Sequence, residues 1–159
     1  LLFHRDNDSY RETIERQATM YGMPRGEYEN VPKADAYLED EEEINLGDYK
    51  VRSLFTPGHA PGHLSLYIPD GEFELKTEET MFGQSDIYAY KGPLLIAGDA
   101  LFKGSIGRTD LPGGNHEQLL SSIRTKLFTL PDETLVLSGH GPDTNIGVER
   151  RSNPFLIER

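Results

Sequence analysis

The stretch Thr56-Pro57-Gly58-His59-Ala60-Pro61-Gly62-His63 follows an apolar segment and carries two of the chain's five histidines. The Pro-Gly pairs on either side of His59 end a strand and prevent a helix from starting, so its imidazole is predicted to lie on a short, rigid turn at a strand end. Functional residues are often found at such places. A single Gly-His pair is more often an ordinary turn than a site, so the rest of the chain must supply the other ligands.

The composition limits the kinds of molecule that the chain is expected to bind. The chain has 159 residues, enough for one domain with a core, and a mean hydropathy of −0.57 with no run that approaches a membrane span. Its 16 Lys and Arg against 27 Asp and Glu give a net charge of −11, which argues against nucleic acid and anionic membranes and favours a small-molecule substrate. Because there is no cysteine, any transition-metal site must use His and carboxylate ligands.

Periodicity predicts a mixture of helices and strands. Ser9 and Glu12 have capping-box spacing before a helix that Gly22 and Pro24 end, and Asn115 with Gln118 predicts the start of a second helix. A short third helix is expected over 149–155. The predicted strands are 1–4, a hairpin over 44–55, 64–68, 93–97 and 134–138, with an additional hairpin within 70–92 whose tip lies near Gly83. The acidic run 39–43 is interpreted as a solvated loop rather than a calcium site, and His116 as a surface residue.

Three predicted strands end in the same way, with glycine followed by a residue that can bind a metal. The pairs are Gly58-His59, Gly98-Asp99 and Gly139-His140. Since functional residues collect at the strand ends of parallel and mixed sheets, we expect these three side chains to meet. Two histidines and a carboxylate suit zinc, iron or manganese. A Ser-His-Asp hydrolase would use the same residue types, but the chain has no Gly-x-Ser-x-Gly motif.

At this point the chain resembles the carboxy-terminal half of a metallo-β-lactamase-fold hydrolase, of the glyoxalase II-like (hydroxyacylglutathione hydrolase-like) branch. The resemblance covers residues 49–159 and rests on Thr-Pro-Gly-His-Ala-Pro-Gly-His at 56–63, Gly-Asp-Ala-Leu-Phe at 98–102, Gly-Arg-Thr-Asp at 107–110, Gly-His-Gly-Pro at 139–142 and Asn-Pro-Phe at 153–155. It implies an α+β fold, half of a four-layer αββα sandwich, and two divalent metal ions, zinc first and iron or manganese as alternatives.

The resemblance also implies a role for each matching residue. His59 would bind the first metal, Asp99 would bridge both metals and act in catalysis through them, and His140 would bind the second metal. His63 would support the site without binding metal. Arg108 and Asp110 would shape the loop after Asp99, with contact to the substrate as the second possible role. The implied reaction is hydrolysis of a thioester or another acyl substrate by metal-bound hydroxide.

Three departures from the family pattern stand out. The His-x-His-x-Asp-His motif is absent, so residues 1–159 are expected to form a single partial domain that lacks the amino-terminal part of the fold and is inactive alone. The hairpin in 70–92 is an insertion. The long helical extension that binds glutathione in larger glyoxalase II enzymes is also missing. A cytoplasmic location is the default expectation, since targeting signals at a natural amino terminus are not observable.

Two alternatives remain open. A persulfide dioxygenase-like enzyme of the same fold would hold a single iron with two histidines and one aspartate, of which His59 and Asp99 would be two. A non-catalytic half-domain would instead use its exposed apolar sheet to assemble with another chain or to form a homodimer.

Overall fold

The computed structural model describes residues 1–24, 26–76 and 87–157. Its strands are β1 (Leu2–Phe3), β2 (Ala36–Tyr37), β3 (Glu43–Leu46), β4 (Tyr49–Phe55), β5 (Leu64–Ile68), β6 (Glu72–Lys76), β7 (Ile87–Lys91), β8 (Leu94–Gly98), β9 (Leu101–Phe102), β10 (Ser105–Ile106), β11 (Leu135–Ser138) and β12 (Thr144–Asn145). Its α-helices are α1 (Asp8–Arg11), α2 (Ile14–Met20), α3 (His116–Thr125) and α4 (Ile146–Ser152), and single 3₁₀ turns cover Arg5–Asn7 and Leu127–Thr129.

A six-stranded mixed sheet in the order β12-β11-β8-β5-β4-β3 organises the chain. Strands β8 and β11 are parallel, and β5 runs antiparallel to both β4 and β8. Strands β4, β8 and β11 therefore point the same way and end at one edge of the sheet. This is the arrangement predicted from the three Gly-His and Gly-Asp pairs.

One face of this sheet is covered by helices. Leu54, Leu95 and Val136 project from β4, β8 and β11 into a buried cluster that includes Leu119 and Ile123 of α3. Burying each of these side chains contributes about 1.5–3 kcal/mol. The predicted cap of α3 is confirmed, since the Asn115 side chain accepts a hydrogen bond from the backbone N–H of Gln118 at 3.0 Å.

The opposite face is only partly covered. Here Leu66, Ile96 and Leu137 lie side by side in register on β5, β8 and β11, and Ile96 remains 41% exposed although β8 is a central strand. The antiparallel hairpin of β6 and β7 covers part of this face: Phe73 stacks on Tyr49 at the start of β4, and Leu75 lines a cavity with Leu137 near the end of β11. Among the described residues, Ile96 and the half-buried Leu66 beside it thus form a partly uncovered apolar strip next to the hairpin.

The hairpin predicted within 70–92 is present as the pair β6 and β7, while the tip predicted near Gly83 lies outside the described residues. The predicted hairpin over 44–55 is also present, with a two-residue turn at Gly47-Asp48. The last helix begins earlier than expected, because Asn145 caps it by accepting a hydrogen bond from Val148 N–H at 2.8 Å. No helix among the described residues is long and apolar enough to cross a membrane.

The capping-box prediction at Ser9 is wrong. Ser9 lies inside α1, and Thr13 interrupts the predicted helix, because its backbone N–H and hydroxyl both donate to Tyr10 carbonyl at 3.0 Å and end that turn. The end of the helix is as predicted: Gly22 adopts a φ of 75° and Met23 N–H donates to the Ala18 carbonyl.

Candidate metal centre

The His59 loop is fixed by its contacts with α3. A Cβ on Gly58 would lie 2.4 Å from the backbone nitrogen of Leu119, so only glycine permits this close approach. The Gly58 carbonyl accepts a hydrogen bond from Asn115 N–H at 2.7 Å, and the Pro57 carbonyl accepts one from the Ser122 hydroxyl at 2.8 Å. Helix α3 therefore fixes the position of the loop that carries His59.

His59 is oriented by its ring hydrogen bond. Nδ1 lies 2.9 Å from the backbone carbonyl of Arg108, and because a carbonyl only accepts, Nδ1–H must be the donor. In the neutral ring this leaves the Nε2 lone pair free, and Nε2 lies 3.6 Å from Oδ2 of Asp99. An imidazole whose far nitrogen is fixed by a backbone carbonyl is the usual arrangement of a histidine that binds a metal.

Asp99 is confined by two glycines. A Cβ on Gly139 would lie 2.1 Å from Asp99 Oδ1, and a Cβ on Gly107 would lie 1.8 Å from the Asp99 carbonyl oxygen. The glycine that precedes His140 in the sequence is thus required by the close approach of the Asp99 carboxylate. Gly139 N–H also donates to the Gly98 carbonyl at 2.8 Å, which joins the ends of β8 and β11.

His59, Asp99 and His140 line one cavity of about 390 Å³, together with Phe102, Lys103, Ser105, Ile106, Gly107, Arg108, Gly141 and Pro142. The His140 ring lies against Phe102, with ring centroids 4.6 Å apart. The three residues predicted as ligands therefore reach the same cavity from three separate strand ends.

The ligand geometry is incomplete within the described residues. Among residues 1–24, 26–76 and 87–157, no group of three or more His, Cys, Asp or Glu side chains lies close enough together to hold a metal ion. Of the three predicted ligands, all within the described residues, His59 and Asp99 form a close pair, with Nε2 of His59 3.6 Å from Oδ2 of Asp99. The donor types and the fixed ring of His59 fit a divalent transition metal, and a complete site needs His140 to turn from Phe102 or further ligands to be added.

His63 lies beside the His59 ring in a chain of hydrogen bonds. Its Nδ1 lies 2.8 Å from the Thr56 hydroxyl, which in turn lies 2.9 Å from the Ser65 hydroxyl, and Ser65 donates to the Ala97 carbonyl at 3.3 Å. Burial, reinforced by the nearby His59, lowers the pKa of His63 from 6.5 to about 4. The ring is therefore neutral at pH 7 and part of a buried hydrogen-bonded chain between β4, β5 and β8.

Arg108 and Asp110 lie at the exposed rim. The Arg108 guanidinium makes two hydrogen bonds of 2.8 Å to the Asp110 carboxylate, and these bonds lower the pKa of Asp110 to about 2. What reaches the centre is the Arg108 backbone carbonyl, which orients His59. The side-chain pair stiffens the loop that carries this carbonyl.

The sequence analysis missed a buried carboxylate behind the cavity. Glu149 on α4 is fully buried and accepts hydrogen bonds from Gly104 N–H at 2.9 Å, the Thr144 hydroxyl at 2.6 Å and the Asn153 amide at 2.8 Å. Asn153 also donates to the Ser105 carbonyl at 2.9 Å. This network ties the loop after Asp99 to the last helix. The Glu-x-x-x-Asn spacing, one helical turn apart, was the available signal.

A second missed contact lies at the amino-terminal end. The Asn7 side chain donates to the Gly62 carbonyl at 2.8 Å and accepts from Gly62 N–H at 3.1 Å. Nothing in the local sequence distinguishes this asparagine from a turn residue, since its partner lies 55 residues away.

Comparison with protein families and solved structures agrees with this geometry. Residues 86–140 match the metallo-β-lactamase superfamily model. The chain is 46% identical over 135 residues to the probable metallo-hydrolase YqgX of Bacillus subtilis, covering 85% of this chain and 54% of that protein. It is 38% identical over 151 residues to the hydroxyacylglutathione hydrolase GloC of Haemophilus influenzae, covering 91% and 58%. The chain thus spans somewhat more than half the length of these relatives.

Solved structures show the same fold. The crystal structure of the BLEG-1 B3 metallo-β-lactamase has a TM-score of 0.73 and 33% identity, with 99% of this chain and 65% of that one covered. TTHA1623 in a di-iron-bound form gives a TM-score of 0.68 and 31% identity, covering 98% and 64%. ETHE1 from Myxococcus xanthus gives 0.57 and 31%, covering 82% and 47%. With its sequence relatives and its α+β architecture, the chain belongs to the metallo-β-lactamase superfamily.

Proposed function

We propose that this chain provides one part of the active centre of a metal-dependent hydrolase that acts on thioesters or related acyl substrates. The observation that carries the proposal is the convergence of His59, Asp99 and His140 on one cavity, with His59 Nε2 directed at Asp99. The similarity to GloC supports a hydroxyacylglutathione-type thioester as the first substrate to test.

Each residue has a distinct task in this proposal. His59 and His140 would hold the metals through ring nitrogens, and the negative charge of the Asp99 carboxylate would offset the mutual repulsion of two ions. Divalent metals in such a centre lower the pKa of water and polarise the substrate carbonyl. The Arg108 carbonyl holds the tautomer of His59, and the cavity beside Phe102 excludes bulk water from one side. Zinc is our first choice of metal, and the di-iron form of TTHA1623 makes iron the main alternative.

We further propose that the remaining ligands come from residues outside this chain, so that the 159 residues alone do not hydrolyse a thioester. Three ligands shared between two metals leave each ion with too few protein contacts. The partly uncovered strip of Leu66 and Ile96 supports this view, because a second sheet packed there would bury it.

A chimera tests the proposal. The part of GloC that this chain does not match, which we expect to be its amino-terminal part, is joined to the chain, and hydrolysis of a hydroxyacylglutathione thioester is measured with zinc or iron. We expect hydrolysis that a chelator abolishes. His59→Ala, Asp99→Asn and His140→Ala should each lower kcat/KM at least about 100-fold, the scale of losing an active-site electrostatic contact, whereas His116→Ala at the exposed start of α3 should leave it unchanged.

Two results would contradict the proposal. If Asp99→Asn in a folded, metal-loaded chimera retains full activity, the assignment of the centre is wrong. If the isolated chain hydrolyses the thioester as fast as the chimera, the proposal that further ligands lie outside it is wrong.

A second candidate function is that of a persulfide dioxygenase-like mononuclear iron enzyme. It is favoured by the close His59 and Asp99 pair, from which His140 stands apart against Phe102, and by the similarity to ETHE1. Metal analysis of the chimera separates the two candidates. One iron per chain together with oxygen consumption would support the dioxygenase, and two metals per chain would support the hydrolase.

A third candidate is non-catalytic assembly through the partly uncovered strip. Sedimentation of the isolated chain tests it: a dimer that dissociates on Ile96→Lys would support assembly through this face, and a monomer at all concentrations would exclude it. The matched control is Leu46→Lys, at an exposed position on the edge strand β3.

A further inference from the structure

The inserted hairpin reaches the loop that follows His140. The Tyr88 hydroxyl on β7 donates a hydrogen bond to Asp143 Oδ2 at 2.5 Å, across 55 residues of sequence. Burial and this carboxylate raise the pKa of Tyr88 to about 12, so the phenol keeps the proton that it donates. The hairpin is therefore anchored three residues beyond a candidate metal ligand.

A second cavity of about 390 Å³ lies at this junction. Leu75, Tyr88 and Leu137 form apolar walls, and Lys76 contributes an ammonium group at the exposed end of β6. This cavity shares Gly141 and Pro142 with the cavity that contains His59, Asp99 and His140. The two spaces thus adjoin along the loop after β11.

The cavity is lined by one cation and one carboxylate, Lys76 and Asp143, so it lacks the strong negative charge of the chain as a whole. The protein has a net charge of −11, yet Lys76 makes no ion pair with any of the residues that the structure describes. The nearby carboxylate, Asp143, is engaged by Tyr88. A cationic group beside apolar walls matches a ligand that has an apolar segment and a terminal carboxylate.

We propose that the cavity between the hairpin and the His140 loop binds an apolar, carboxylate-terminated arm of the substrate, with Tyr88 positioning the wall and Lys76 pairing with the carboxylate. The reacting carbonyl would lie in the adjoining cavity. The identification of the ligand as part of a substrate rests on the proposed hydrolase function. The binding test itself requires neither metal nor catalysis.

The first experiment is an NMR titration of the 159-residue chain with hexanoate, in the presence of a chelator, with hexanamide as the neutral probe of equal length. We expect hexanoate to shift the amide signals of Leu75, Tyr88 and Leu137 and to bind more tightly than hexanamide. Lys76→Gln should remove this difference, weakening hexanoate binding about two- to fivefold, the range for one exposed ion pair. Lys50→Gln, an exposed lysine on β4, is the matched control and should change nothing.

Two outcomes would overturn the proposal: equal binding of hexanoate and hexanamide, or shifts confined to signals around His59 and Asp99. Tyr88→Phe keeps the ring and removes the hydrogen bond to Asp143. It should weaken the binding of hexanoate and hexanamide equally, because the cavity wall is held less firmly while the charge of Lys76 is unchanged. Equal loss for both probes supports the positioning role of Tyr88. An unchanged affinity in this variant would contradict it.

The chimera separates this inference from the hydrolase proposal. If it hydrolyses thioesters and Lys76→Gln raises KM for a carboxylate-terminated acyl thioester without changing kcat, both proposals stand. If it is inactive while hexanoate still shifts the hairpin signals, only the hydrolase proposal fails. If it is active but Lys76→Gln leaves KM for charged and neutral thioesters equal to wild type, only the arm-binding inference fails.

Discussion

Replacing Glu149 by alanine should destabilise the chain more than any exposed substitution. In the native structure this fully buried carboxylate accepts three hydrogen bonds, from Gly104 N–H, the Thr144 hydroxyl and the Asn153 amide. Removing it leaves the Gly104 donor without its buried partner, whereas the Thr144 hydroxyl can rotate and the Asn153 amide keeps its bond to the Ser105 carbonyl.

The expected loss of stability follows from how these three donors respond when the carboxylate is removed. A hydrogen bond to a charged group is worth about 1.5–3 kcal/mol. Because the exposed Gly104 N–H can donate to water instead, and the other two donors keep alternatives, the net loss is close to that of one such bond. We therefore expect Glu149→Ala to lower the free energy of unfolding by about 1.5–3 kcal/mol. Glu149→Gln should cost only about 1 kcal/mol, because its oxygen can serve Gly104 and Asn153 while its amide donates to the Thr144 hydroxyl.

Urea unfolding monitored by circular dichroism measures both variants, with Glu117→Gln on the exposed side of α3 as a control that should change stability by less than about 0.5 kcal/mol. The hydrogen-bond reasoning would be refuted by a loss below about 1 kcal/mol for Glu149→Ala, or by equal losses for the alanine and glutamine variants. Equal losses would mean that the shape of the side chain matters and its acceptors do not.

Three further predictions concern the strand-end loops. Gly139→Ala places a Cβ 2.1 Å from Asp99 Oδ1 and should displace that carboxylate, so zinc binding by the GloC chimera, measured by calorimetry, should weaken at least about tenfold while the fold is retained. Stability should fall by up to about 3 kcal/mol between pH 6.5 and pH 4, because the unfolded chain binds a proton at His63 that the folded chain, with a pKa of about 4, refuses until lower pH. Asn7→Ala removes both bonds to Gly62 and should cost about 1–2 kcal/mol in urea unfolding.

Each of these three predictions has a matched control variant. Gly47→Ala lies in an open turn where a Cβ meets nothing within 4 Å, so it should leave zinc binding unchanged, and a tenfold loss there would disqualify the steric explanation. For the pH series, His63→Gln should flatten the slope between pH 6.5 and 4, whereas His116→Gln should retain it. An Asn7→Asp variant keeps only the acceptor and should lie between wild type and alanine; full wild-type stability would show that the donated bond is unimportant.

The sequence predicted the elements around the centre well because their signals are local. The alternation in β4 and β5, the Asn115 cap and the Gly-His and Gly-Asp pairs each lie within a few residues, and the common direction of β4, β8 and β11 follows from standard sheet topology. The strand ends therefore meet at one edge as expected.

What the sequence did not predict depends on distant partners. The helix predicted from Ser9 and Glu12 is interrupted because Thr13 bonds back to Tyr10, and a capping pattern alone does not exclude that alternative. The bond from Tyr88 to Asp143 joins residues 55 positions apart. The tilted contact between the His140 and Phe102 rings is likewise a tertiary contact, and it involves a residue whose type alone had suggested a ligand.

The spacing of the strand-end residues has a consequence for folding. His59, Asp99 and His140 are about 40 residues apart in sequence, on strands that are not all neighbours, since β5 separates β4 from β8. No local hairpin or helix can bring them together, so their meeting requires the long-range pairing that forms late in the folding of mixed sheets. Metal binding would then require the completed sheet. During refolding, the metal would bind only after β11 has paired with β8.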